Sequence, residues 1–402
     1  MVEYSEFVRL SRSSDSDERG HAAHLAALAY LNHQGPADEH AALYAALIGF
    51  LDDPSVKVRA ALAYGLLHSP EAPRPIIMAL LQDSPIISRA ILQYSPILID
   101  ADLLNVIRKG DQAAWLAIAQ RRTLSARAAT ALIERHDDDI TLRLVRRADV
   151  DIDGSLLISL AQERGKEAVW RGALLSRPDL PAPARLILVR RVTEALRETR
   201  IVCGALSPER LSRLLRDESD TALSSIGEAE SCRHRAEFVQ DLVGSSELNS
   251  RILLHAIVTG HVMFFASCLA ELADVTRDKV FTLLESGSRA ALAALFLRAG
   301  LSEELGKVLV RLVLHARAAD LADDISARHY VVTALTEELI IEFDGQIPSE
   351  LEEAFAYLTE QNIALARKAA RGVMRAFAET TKIAMTLPPA KEAAAPLELP
   401  AA

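Results

Sequence analysis

Apolar residues recur along the chain at helical spacing, in short runs cut by polar turns. Leu25, Leu28 and Leu31 recur until Gly35-Pro36 breaks the pattern. Leu43, Leu47 and Phe50 share one face of a second run, Glu39 to Leu51, stopped by Asp52-Asp53-Pro54. From Leu66 to Pro181 one phrase returns: Ser69-Pro70-Glu71-Ala72, Ser95-Pro96-Ile97-Leu98, Arg121-Arg122-Thr123-Leu124, Arg147-Ala148-Asp149-Val150 and Arg177-Pro178-Asp179-Leu180. Copies about 26 to 30 residues apart have the period of stacked repeats. An aliphatic residue lies six positions before each phrase's end: Leu66, Leu92, Ile118, Leu144 and Leu174. It should be buried between repeats, and the Arg three positions before the end should lie at a turn toward the repeat edge.

Each phrase precedes a helix-forming run: Pro73 to Leu81, Asp100 to Lys109, Ser125 to Arg135, and Asp151 or Asp153 to Arg164, with Asp100, Ser125 and Asp151 as N-caps. A unit therefore holds two short helices, neither able to bury its apolar face alone, so stability must come from stacking. Beyond Pro181 the copies blur into a longer helix, Pro183 to Arg200. Residues 203–230 are polar and irregular in period, which suggests a looser connection. A second helical block covers 231–385, with Gly260, Gly287 and Gly300 at helix ends and a long terminal helix or broken pair from Pro348 to Ala378. The expected organisation is a polar N-terminal segment (1–17), a repeat array (18–202), the connection, the second block, and a disordered Pro/Ala-rich tail (386–402). The fold class is all-α: a HEAT/armadillo-like α-solenoid of two-helix repeats, then a second helical block.

Two further stretches fix a register within the array. Asp53-Pro54-Ser55-Val56-Lys57-Val58-Arg59-Ala60-Ala61-Leu62 is restated as Asp83-Ser84-Pro85-Ile86-Ile87-Ser88-Arg89-Ala90-Ile91-Leu92. This resembles the second-helix signature of HEAT repeats, which implies that Asp closes a turn while Arg bridges to the neighbouring repeat. Val58-Arg59, Ser95-Pro96-Ile97-Leu98, Ile118-Ala119-Gln120-Arg121-Arg122-Thr123-Leu124-Ser125 and Leu174-Leu175-Ser176-Arg177-Pro178-Asp179-Leu180-Pro181 together resemble the bacterial proteins grouped as domain of unknown function twenty-three thirty-six. So does Gly260 to Leu301, with Phe264, Leu269, Val280 and Ala299-Gly300-Leu301. That family has no activity to transfer, so the resemblance implies a helical repeat fold and no site residue.

Composition supports a buried helical core: half of the 402 residues are hydrophobic and only 5% aromatic. The formal charge of -10 argues against indiscriminate nucleic-acid binding. Cys203, Cys232 and Cys268 form no Cys-x-x-Cys pair and suit a reducing compartment. No signal peptide or membrane-length apolar run is seen, so a cytoplasmic protein without a membrane partner is expected.

Candidate chemistry is thin. His21, His24, His33 and His40 cluster, but Gly35-Pro36 divides them, and surface histidines are the better account than a metal site. His136-Asp137-Asp138-Asp139 lacks EF-hand spacing and reads as a turn that caps the next helix. Cys232 near His234 and Cys268 near His261 are the only thiol–imidazole neighbours in sequence, with no nucleophile elbow, Walker A loop or dinucleotide fingerprint. His255 and His261 fit core or helix-end positions. Trp115 and Trp170 should pack between repeats. No catalytic, metal or cofactor residue is assigned.

The basic band is the exception. From Gln120 to Arg216 there are 19 Lys and Arg against 13 Asp and Glu, a local +6. Arg121, Arg147 and Arg177 hold equivalent repeat positions, beside Arg122, Arg146, Arg190 and Arg191. Such residues either stack into a partner-binding stripe or form an inter-repeat ladder on neighbouring carboxylates and helix ends. The function expected is a non-enzymatic scaffold that binds a protein partner along the stacked helices. The alternatives are a nucleic-acid or phosphate-ligand binder using the stripe and, less favoured, an enzyme on a helical scaffold. Leu351, Phe355, Leu358, Ile363, Val373 and Phe377 suggest a homodimer through the C-terminal helix.

Overall fold

The structure, a computed structural model, describes residues 4–319 and 324–380. Among these the chain is all-helical, with no β-strand. The expected tail, 386–402, lies outside the described residues. The chain divides into two compact units, Met1–Ala195 and Leu196–Ala402.

Unit 1 opens with α1 (Tyr4–Ser11), α2 (Ser16–Asn32), α3 (Ala37–Leu51) and α4 (Val56–Leu66). The N-terminal segment expected to be polar is thus partly helical, because Phe7 and Leu10 fall three apart. Leu10 is buried and Phe7 meets Phe50 edge-on at 6.4 Å. Helices α2 and α4 pack against each other along their length. Ala22, Ala23, Ala26 and Ala27 are buried on α2, and a Cβ on Gly65 would come within 2.6 Å of Ala27 Cβ. Small residues let the two backbones approach.

The repeats continue as α5 (Arg74–Leu81), α6 (Pro85–Tyr94), α7 (Asp100–Lys109), α8 (Gln112–Ala119), α9 (Ala126–Ile133), α10 (Asp138–Val145), α11 (Gly154–Arg164), α12 (Ala168–Leu175) and the longer α13 (Ala182–Glu198). Helix pairs match the sequence pattern to within a residue or two. Ser125 accepts from Ala128 N at 3.2 Å and caps α9. Asp153, not Asp151, caps α11 by accepting from Ser155 N. Asp100 lies inside α7, whose first turn is closed by Asp102 accepting from Ile99 N. Along the chain α4 packs on α6, α6 on α8, α8 on α10 and α10 on α12, while α3 packs on α5 and α7 on α9. All five aliphatics at minus six are buried, at 2% exposure or less. Burial of each such side chain contributes about 1.5–3 kcal/mol, as part of a larger buried core.

Unit 2 contains α14 (Arg200–Ala205), α15 (Pro208–Cys232), α16 (Glu237–Gly244), α17 (Ser250–Val258), α18 (Val262–Ala273), α19 (Arg277–Ser286), α20 (Arg289–Arg298), α21 (Glu303–Ala316), α22 (Ile325–Glu342) and α23 (Glu352–Thr380). Residues 203–230 are therefore not a looser connection. Most of them belong to α15, capped by Ser207 and opened by Pro208, whose buried Leu211, Leu215 and Leu223 follow helical spacing. The run reads as polar because α15 buries small and polar residues, Ser224, Gly227, Glu230 and Ser231, beside those leucines. Gly260 and Gly300 take φ of 85° and 81° just past α17 and α20, a conformation L side chains rarely adopt.

Helix α18 is central, packing against α15, α16, α17, α19 and α20. Its Phe264, Phe265, Ala266, Cys268 and Leu269 have no exposure. Glu228 on α15 caps it by accepting from Phe264 N at 2.7 Å. One residue earlier on α15, a Cβ on Gly227 would sit 2.2 Å from the Phe264 ring. Gly to Ala inside a helix ordinarily stabilises by about 1 kcal/mol. Gly227→Ala should reverse that sign, costing about 1–3 kcal/mol through overpacking. Gly172→Ala, where nothing lies within 4 Å, should keep the ordinary sign. Urea unfolding of both variants checks the contrast.

Candidate functional site: repeat arginines, exposed rings and a buried polar cluster

The last carbonyls of any helix have no partner within it. In unit 1 the repeat arginines supply one. Arg121 donates to Leu92 O and, at 2.8 Å, to Ser95 O, at the end of α6. Arg147 donates to Ala119 O at 2.7 Å and Arg122 O at 3.4 Å, at the end of α8. Arg177 donates to Val145 O (3.2 Å), Arg147 O (2.9 Å) and Val150 O (2.8 Å), at and just past the end of α10. Each guanidinium thus sits on the negative end of the preceding repeat's second helix, where a cation is favoured. Asp149 and Asp179 hold Arg147 and Arg177 in two-pronged pairs, both closing at 2.6 Å. Arg147 holds the Asp149 carboxyl below its usual range.

These positions overturn the stripe. All three lie in the turn after a second helix, as expected, but Arg121 and Arg177 are buried and Arg147 is half-buried. Burial lowers the Arg121 pKa, and its Nε has no hydrogen-bond partner. Of the other candidates, Arg122, Arg146 and Arg190 are exposed, while Arg191 is half-buried and pairs with Glu194 at 2.9 Å. The exposed three do not share one repeat position, so they do not form a stripe of stacked equivalents. Of the two sequence readings, the inter-repeat ladder describes Arg121, Arg147 and Arg177.

The Asp–Arg register forms a second ladder. Arg59 pairs with Asp83 at 2.6 Å and also donates to Asp53 O. Arg19 pairs with Asp53 at 2.7 Å, and Arg89 lies 3.6 Å from Asp111. Asp53 and Asp83 carboxyls are held below their usual range, chiefly by their arginines. Five residues after these three arginines come His24, Tyr64 and Tyr94, on α2, α4 and α6, of which α4 packs on both α2 and α6. Tyr64 is 69% and Tyr94 49% exposed. Their rings lie 5.6 Å from His24 and 5.3 Å from His68 respectively. This surface row went unread because a lone Tyr on each helix carries no signal until the Arg register aligns the two.

Trp170 is buried under Arg164 (5.3 Å), whereas Trp115 is half-buried under Arg135 (5.6 Å) and donates to Ile107 O. Asp137 caps α10 by accepting from Ile140 N, and Asp138 pairs with Arg164. A groove of about 820 Å³ runs beside α1, α2 and α3, lined mainly by Phe7, Leu25, Leu28, Leu43 and Ala46.

Unit 2 encloses a buried polar cluster. His255 Nδ1 meets Tyr357 OH at 2.7 Å, and its Nε2 meets Thr221 Oγ1 at 3.2 Å. Arg251 lies over the Tyr357 ring at 4.8 Å and pairs with Asp217 and Asp220. Helices α15, α17 and α23 are tied together. Burial, with His261, Arg251 and Lys368 nearby, pushes His255 down to about 4. Burial likewise raises Tyr357, and raises Asp220 despite Arg251. Tyr357 and His255 are each 1% exposed, so no substrate reaches them. Burial pushes the Cys268 thiol up, away from the thiolate a nucleophile needs. Arg317 repeats the capping device, donating to Leu283 O, Leu284 O and Gly287 O past α19. The homodimer set divides as well: Leu351 and Leu358 are buried within unit 2, and only Ile363, Val373 and Phe377 are exposed.

Residues 87–346 match the model of a family described as an uncharacterised protein conserved in bacteria (DUF2336). Comparison with curated proteins and with solved structures gave no match. The match assigns no chemistry, so the two polar arrangements are tested physically. Arg177→Met strands buried carbonyls and should cost unit 1 roughly 2–4 kcal/mol, against within about 0.5 for Arg122→Ser, by urea unfolding. His255 is neutral when folded and binds a proton below its unfolded pKa of 6.5. Stability is therefore full above pH 6.5 and falls as pH drops toward 4, by roughly 3 kcal/mol in total. Melting temperature against pH should show a shallower fall for His255→Gln in that window.

Proposed function

We propose that this chain, which belongs to the uncharacterised bacterial family DUF2336, is a non-enzymatic interaction scaffold of the cytoplasm. Unit 1 acts as a HEAT-like α-solenoid that holds a protein partner along its stacked second helices. The observation that carries this reading is the row of His24, Tyr64, His68 and Tyr94 on neighbouring helices, with Tyr64 69% exposed. A tyrosine buries a large amphipathic surface at small cost in rotamer freedom, which is why such rings concentrate binding energy at interfaces. The Arg19–Asp53 and Arg59–Asp83 pairs tie these helices to their neighbours, so a partner meets a pre-organised surface. Buried Cys268 and His255 support a non-catalytic role. A nucleic-acid reading loses its main support with Arg121 and Arg177 engaged on carbonyls.

The test is partner capture by immobilised full-length protein, with the retained protein then titrated against variants. Tyr64→Ser with Tyr94→Ser should weaken binding by about 2 kcal/mol, or roughly 30-fold. Unfolding curves should stay put, since both rings are exposed. A partner held equally by the double variant would move the interface off this row.

A further inference from the structure

Helix α23 changes character along its length. Its first half is locked into unit 2 by Tyr357, Leu358 and Leu365, each at most 4% exposed, and it packs on α17 and α22. Past Leu365 burial falls away, with Ala366 and Ala369 half-buried. Arg367, Lys368, residues 370–375 and Phe377 are all exposed. Val373 is 62%, Met374 70% and Ile363 52% exposed. Bulky apolar surface is thus exposed among the described residues.

The sequence there is one-sided in charge. Between Glu360 and Glu379 there is no acid, but there are four bases, Arg367, Lys368, Arg371 and Arg375. None of the four forms an ion pair among the described residues. At 3.6 residues per turn, Ile363, Ala366, Ala370, Val373, Met374 and Phe377 fall within an arc of about 100°, and the four bases fill the adjoining arc of about 100°. The segment is a preformed basic amphipathic helix end, +4 in a chain of -10.

We propose that residues 363–377 are a docking surface for an anionic phospholipid membrane. A flat surface reaches both arcs at once: the apolar side chains enter the acyl boundary while the long Arg and Lys stems carry their charges to the headgroups. The alanines and Gly372 between the bulky residues suit shallow insertion rather than deep anchors in a protein groove. A second copy is a poorer occupant. The seam Ile363, Ala366, Ala370, Val373 and Phe377 spans two heptads with alanine at two positions, short of the three or so that sustain a coiled coil. The proposal departs from the expectation of no membrane partner, which rested on the lack of a span. Among the described residues no helix is long and apolar enough to cross a membrane, but a helix lying on the surface need not be. It uses none of the residues of the scaffold reading and stands apart from it.

The test is flotation of the full chain with vesicles of phosphatidylglycerol in phosphatidylcholine, against phosphatidylcholine alone. Wild type should float with the anionic vesicles only, less so as salt is raised. The triple reversal Arg367→Glu, Arg371→Glu, Arg375→Glu should bind roughly a hundredfold more weakly or worse. Val373→Ser with Met374→Ser should also release the protein while leaving its melting temperature unchanged. Equal flotation with neutral vesicles, or binding unaffected by either set, overturns the proposal. No flotation even at low salt does so too, and leaves the face to an acidic protein groove.

Discussion

The structure depends on what happens at helix C-termini. Helices of eight or ten residues leave up to four carbonyls each without an internal partner, a large fraction of their backbone acceptors. Water cannot serve them all once helices stack. Arg121, Arg147 and Arg177 reach back one repeat and close those ends, so each helix is finished by its successor. Arginine suits the task because its planar fork offers five donors and stays charged when buried. Arg317 does the same for α19 in unit 2.

The same constraint separates structure from function along the chain. Arg121, Arg147 and Arg177 are committed to the backbone, whereas Arg122, Arg146 and Arg190 beside them stay exposed. Unit 1 also exposes Tyr64 and Tyr94, on helices joined by the Asp–Arg pairs of Arg19 and Arg59. Unit 2 exposes the apolar and basic side chains at the far end of α23. The polar cluster around His255 gives that end its footing, since Tyr357 of α23 bonds an imidazole of α17 in a dry interior. Such a fully partnered network favours one packing arrangement over others.

The helices, their pairing and the buried aliphatic column were legible in the sequence, because helical periodicity and turn residues are local signals. Leu66, Leu92, Ile118, Leu144 and Leu174 announced their burial by spacing alone. The same was true of the pairing of Arg59 with Asp83. The extent of α15 was not legible: a helix that buries Ser224, Gly227, Glu230 and Ser231 shows no apolar periodicity at those positions. Asp153 taking the cap in place of Asp151 turns on backbone geometry over two residues, which propensity does not resolve.

By itself, then, the sequence determined an all-helical chain built on a short repeat, and the positions at which arginine recurs. It could not decide what those arginines do. An arginine at a fixed repeat position is equally suited to an acidic partner and to a neighbour's carbonyls. Which one it meets depends on whether stacking buries it, a property of helices brought together from about 26 residues apart. The tertiary structure decided that the repeated bases face inward and that unremarked tyrosines, and the end of the last helix, face out.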